Sequence, residues 1–206
     1  MVDADYIMTV RSDGDVAAAI VDTNAKLGYV STVSIGRDPY FLDYPFTNPN
    51  SSFDEHLAAA KRLKPKITVA PDIEKGLSLS ESVEQADQLA EYSDTVVIVP
   101  KSVHPSEVPE RFRVGLTLAN YGSNAPWLIW DYKKCSSIHL LGGPPHRQLE
   151  VLNYGLSVDS LDGFSLGVYA MWGIWDGKKQ PAPDHWDYKR RVKVCIENYC
   201  DLIKKL

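Results

Sequence analysis

The sequence predicts an α/β protein: a compact TIM-like (β/α)8 barrel, complete or incomplete, with an open flavodoxin-like parallel sheet as the alternative. Three observations lead there. Short β-branched apolar runs alternate with helical patterns through the middle of the chain, which is the signature of parallel strands joined by crossover helices. Most of those runs stop at Asp, Pro, Gly or Lys, the residue types that furnish ligand sites at the carboxyl ends of strands. The length of 206 residues, 44% hydrophobic and 24% charged, suits one α/β domain over residues 1–206 with a core that requires no staples.

Taken in order, DYIMTV (5–10) reads as a strand and DVAAAIVDTNAKLG (15–28) as a helix closed by Gly28 at the C′ position. YVSTVSI (29–35) reads as a second strand and PYFLD (39–43) as a third. SSFDEHLAAAKRLK (51–64) is a helix with a serine N-cap, ended by Pro65. KITVAPD (66–72) is a strand. SLSESVEQADQLAEYS (78–93) is an amphipathic helix that Ser80 can cap, with Val83, Ala86, Leu89 and Ala90 inward. DTVVIVPK (94–101) is a buried strand and RFRVGLTL (111–118) another. IHLLGG, the helix PHRQLEVLNYG and the strand LSVDS follow. Residues 171–186, with three tryptophans, read as an ordered loop or hairpin, and residues 187–206 as a last helix.

Composition narrows the function. The net charge of −5 does not favour non-specific nucleic-acid binding, although KRLKPK (61–66) and YKRRVK (188–193) are local basic clusters. Cys135, Cys195 and Cys200 form no CxxC pair, which argues against a disulfide framework and a four-cysteine zinc site and for reduced thiols in a cytoplasm. The first ten residues have no basic n-region, so no signal peptide is expected, and no apolar run is long enough for a membrane helix. Phosphate-loop, dinucleotide, nucleophile-elbow and zincin motifs are all absent, and the five histidines are scattered. Neither metal nor cofactor is expected.

Carboxylate chemistry remains. The strand-end candidates are Asp43, Asp72, Lys101, Gly115, Gly142, Gly143, Asp159 and Asp162. Aspartates that converge on one pocket can act as nucleophile toward an electrophilic carbon, or as general acid and base. At a sugar C1 both roles occur together.

The stretch LLGG…GLSVDSLDG resembles the tRNA-guanine transglycosylase superfamily, whose phage branch places 7-deazaguanines in DNA. In that family a strand ending "LMGVG" leads through a helix to a strand ending "DMFDC". The resemblance spans about residues 39–163. It implies Asp162 as nucleophile, with Asp159 an alternative, and Asp43 of FLDYPF as general acid/base. It also implies a base pocket of Asp72, Gly115 and Leu116, with Lys101, Gly142 and Gly143 at the substrate. The expected reaction replaces guanine in a nucleic acid with a free 7-deazaguanine base through an aspartyl-glycosyl intermediate. Pro100 stands where the family has glutamine, the arginines after the nucleophile are missing, and so is the zinc site. These departures favour DNA over tRNA, and the expected setting is the cytoplasm, the host's if the protein is viral. Homo-oligomerisation stays open. Two rivals stand beside this reading: a non-catalytic binding subunit on the same barrel, and a small-molecule nucleoside or glycoside hydrolase.

Overall fold

Eight short parallel strands close into a barrel in chain order: β1 (Asp5–Val10), β2 (Lys26–Val30), β3 (Phe41–Asp43), β4 (Ile67–Val69), β5 (Thr95–Ile98), β6 (Arg113–Thr117), β7 (Ile138–Leu141) and β8 (Val158–Gly163). β8 closes the ring on β1, with Ile7 opposite Asp162. This computed structural model describes residues 4–10, 14–31, 37–46, 48, 50–73, 76–118 and 127–206. The fold is a TIM-like (β/α)8 barrel, and the open sheet is excluded by the β1–β8 pairing. Among the described residues, no helix is long and apolar enough to cross a membrane.

The helices are α1 (Asp15–Val21), α2 (Phe53–Leu63), α3 (Leu79–Ala90), α4 (Pro145–Leu152), α5 (Ser165–Trp172) and α6 (Tyr188–Lys204). Short 3₁₀ turns at Pro105–Glu107 and Ile129–Lys134 take the places of helices after β5 and β6. Ser52 caps α2 by accepting from the Glu55 amide, and Lys61 and Arg62 of the first basic cluster lie in its last turn, where cations suit the helix dipole. α3 starts two residues earlier than Ser80 suggests. Ser78 is its cap, in a reciprocal capping box with Glu81.

Two segments differ from expectation. The predicted helix over 15–28 stops at Val21, because Thr23 turns the chain: its hydroxyl donates to the Ile20 carbonyl and accepts from the Ala25 amide. Gly28 is then a strand residue rather than a helix end, and the strand expected at 29–35 begins at Lys26, with residues 32–36 outside the described ones. The second difference is α5, which the sequence reading missed. Its eight residues are apolar on every side, so no helical stripe marks it. The tail of the predicted hairpin is real: β9 (Ile174–Trp175) pairs antiparallel with β10 (Lys179–Gln180).

Strand alternation sorts the residues into two cores. Tyr6, Met8, Leu27, Tyr29, Leu42, Val96, Ile98, Val114, Leu116 and Leu140 face outward and pack under the helices. Ile7, Phe41, Ile67, Val69, Val97 and Val99 fill the barrel interior. Gly115 also points inward, where an added Cβ would lie 2.7 Å from Leu141 Cδ1 and 2.8 Å from Val99 Cγ2. Gly115→Ala is therefore expected to overpack the interior and destabilise the protein by about 1–3 kcal/mol, measured by denaturant unfolding.

Candidate active site

The carboxyl ends of the strands meet at one mouth of the barrel, and three aspartates lie there. Asp162 sits near the end of β8 and is buried, 6% exposed. Three groups reach its carboxylate. Thr9 Oγ1, from β1, donates to Oδ2 at 2.8 Å. The Gly142 amide donates to Oδ1 at 3.1 Å. His139 Nε2, from β7, lies 3.2 Å from the same oxygen. Its carboxyl group is thus held by neighbours from both adjoining strands.

Gly142 and Gly143 make this approach feasible. Both have positive φ, 62° and 83°, and a Cβ at Gly143 would lie 2.6 Å from Leu118 Cβ. The buried Gln148 of α4 locks the two strand ends together. Its Nε2 donates to the Gly142 carbonyl at 2.8 Å and to the Asp162 carbonyl at 2.7 Å, and Tyr199 of α6 donates to its Oε1 at 2.5 Å. The C-terminal helix thereby braces the site from outside the barrel.

Asp43 ends β3. As a residue it is only partly covered, but its Oδ1 is sealed from solvent with no hydrogen-bond partner among the described residues. Burial, and then the charges of Asp162 and Asp72, push its carboxyl well above the usual carboxylate range, against the opposing effect of the Tyr44 amide. Asp72 follows β4 and pairs with Lys101, which follows β5; both side chains are largely buried. Lys101 Nζ also lies 5.6 Å from the Phe46 ring centroid. The mouth therefore brings Asp43 into electrostatic range of both Asp162 and Asp72, and Asp72 carries Lys101 with it.

Three expected site residues lie elsewhere. Asp159 is exposed at the opposite, amino-terminal end of β8. Ser137 Oγ donates to it, and Arg113 Nε is 3.7 Å away. Three residues along a strand reverse the face and carry the side chain about 10 Å from Asp162, so it is not an alternative nucleophile at this mouth. Leu116 faces outward into the core under the helices. Gly115 faces inward, but Val97, Val99 and Leu141 occupy the space beside it. Neither contributes a base pocket in the way the resemblance implies.

A family model covers residues 29–204: the family of unknown function DUF6610. The chain belongs to that family. No curated protein matches. Among solved structures, the chain is similar to a Coccidioides immitis protein provisionally assigned as a fructose-1,6-biphosphate aldolase, with TM-score 0.63 and 13% identity over 98% of this chain and 91% of that one. It also matches a monomeric form of phosphoribosylanthranilate isomerase from Thermotoga maritima, with TM-score 0.41 and 14% identity over 96% of this chain and 98% of that one. The first likeness supports the barrel fold alone.

Within this DUF6610 barrel, the residues that sequence reasoning missed are Thr9, His139, Gln148 and Ser160. The available signal was polarity at inward positions: His139 alternates with Leu141, and Ser160 with Asp162. The described residues include no group of three or more His, Cys, Asp or Glu side chains placed to hold a metal ion. Cys195 and Cys200 are buried in α6, and burial pushes both thiols up to about 11.

Proposed function

We propose that this protein is a glycosyl-transfer enzyme that cleaves an N-glycosidic bond through a covalent intermediate on Asp162. The observation that carries the reading is the pairing of two unlike carboxyl groups at one mouth. Asp43 is held toward its protonated form, whereas Asp162 is surrounded by donors. A carboxyl held toward its protonated form suits the acid role, and a carboxylate oriented by donors suits the nucleophile role.

In the first step Asp162 Oδ2 attacks C1′ of a target guanosine or deoxyguanosine. The bond from C1′ to the base breaks, and the departing guanine takes the Asp43 proton. A free 7-deazaguanine then gives its N9 proton to the Asp43 carboxylate, and N9 attacks C1′, releasing Asp162. Asp72, positioned by Lys101, offers an acceptor to the N–H edge of either base. A base in a duplex must first leave the stack, which costs a few kcal/mol. DNA is preferred over tRNA as the polymer, with a reducing cytoplasm as the setting. The substrate, the exchange and the partner polymer extend the resemblance of LLGG…GLSVDSLDG to the guanine transglycosylases.

The test is trapping. The protein is incubated with guanine-containing DNA or with tRNA, with and without 7-cyano-7-deazaguanine, and resolved on denaturing gels. A covalent adduct with DNA that the free base discharges is the expected result. Hydrolysis of free nucleosides, with no polymer adduct, would replace the exchange reading by a small-molecule hydrolase.

A further inference from the structure

A chain of polar side chains runs along the barrel from its foot to its mouth and ends on Asp162. At the foot, Ser137 Oγ donates to Asp159 Oδ2 and accepts from Arg113 Nε at 2.9 Å. Arg113 Nη1 donates to Ser160 Oγ at 2.7 Å. Ser160 Oγ lies 2.7 Å from His139 Nδ1, and His139 Nε2 lies 3.2 Å from Asp162 Oδ1. Ser160 and His139 are fully buried. The His139 ring lies against Phe41, with centroids 5.0 Å apart and planes 20° apart, which fixes its plane.

The direction of this chain from Arg113 onward follows from the guanidinium. A guanidinium has donors and no acceptor, so Ser160 Oγ must accept from Arg113. Among the described residues, the hydroxyl hydrogen of Ser160 then has one acceptor in reach, His139 Nδ1. With that hydrogen directed at Nδ1, the ring's own hydrogen sits on Nε2, facing Asp162.

We propose that His139 is a positioning residue, held by Arg113 and Ser160 as an Nε2–H donor to Asp162 Oδ1, and that Oδ2 is consequently the attacking oxygen. The second half rests on the reading of Asp162 as nucleophile. Among the described residues, Oδ1 receives two donors, His139 and the Gly142 amide, whereas Oδ2 receives Thr9 alone. Oδ2 keeps a lone pair for an electrophile at the mouth. His139 does not touch the substrate; it fixes the rotation of the carboxylate and the identity of its free oxygen.

The test uses long-range ¹H–¹⁵N spectra of protein labelled at histidine, with the His139 signals assigned by their loss in His139→Gln. The expected wild-type signature is a neutral ring carrying its hydrogen on Nε2. In Ser160→Ala the Nδ1 partner is gone, and the ring is expected to leave the single-tautomer signature while thermal unfolding still reports a folded barrel. A wild-type ring that is doubly protonated or hydrogenated on Nδ1 would overturn the proposal, as would a Ser160→Ala spectrum identical to wild type. In the trapping assay, Ser160→Ala is expected to slow adduct formation at least about tenfold with unchanged polymer affinity. An unchanged rate would overturn the positioning role. No adduct from the wild-type chain would count against the glycosyl-transfer reading instead, and the spectra decide the tautomer independently.

Discussion

Asp162→Asn is expected to abolish adduct formation and base exchange, lowering the rate by about three orders of magnitude or more, as loss of a covalent nucleophile does. The substitution isolates chemistry from folding. The amide oxygen still accepts from the Gly142 amide and His139, and its NH₂ faces Thr9 Oγ1, which has lone pairs to accept it. Backbone contacts at Asp162, including the Gln148 bond to its carbonyl, do not depend on the side chain. A folded, inactive variant is the predicted outcome, read by gel for the adduct and by thermal unfolding for the fold. Asp159→Asn supplies the contrast. Its carboxylate is exposed at the foot of the barrel, and an amide oxygen there still accepts from Ser137 Oγ, so the variant is expected to keep the polar chain and full rate. Full exchange by Asp162→Asn would remove the nucleophile assignment and with it the proposed reaction.

The barrel and the positions of Asp43, Asp72 and Asp162 were legible because they depend on local pattern. Each lies at or just beyond the end of an apolar run, and a parallel barrel gathers such ends at one mouth. What was not legible depended on parity and closure. Asp159 and Asp162 look like neighbours in sequence, but strand alternation turns them to different faces and different ends. The same parity carries Leu116 outward while Gly115 points in. Thr9 reaches Asp162 across 153 positions of sequence, through the β1–β8 closure that no local window contains. Gln148 and Tyr199 become partners only when α6 docks on α4. α5 was hidden for a different reason: a helix without a polar face leaves no periodic trace.

Asp43→Asn is expected to make the protein more stable and much less active. Burial, then Asp162 and Asp72, raise the Asp43 carboxyl well above the usual range, so the folded state holds its proton more tightly than the unfolded chain does. The stability this contributes is fully present below the unfolded pKa of about 4 and is lost as pH rises through the folded pKa. The wild-type protein should thus lose stability over that window, and the variant, which has nothing to ionise there, should not. At the upper end the variant should be more stable by about 1–3 kcal/mol, the typical cost of one poorly satisfied buried polar group, as measured by denaturant unfolding at a series of pH values. Its adduct-forming rate should fall by about 10²–10⁴, because the leaving base has lost its acid. The wild-type rate should decline as pH rises through the same raised pKa, since only protonated Asp43 serves the first step. A variant less stable than wild type at every pH would mean that the Asp43 carboxylate is stabilised in the folded state, and the acid role would then belong to another group.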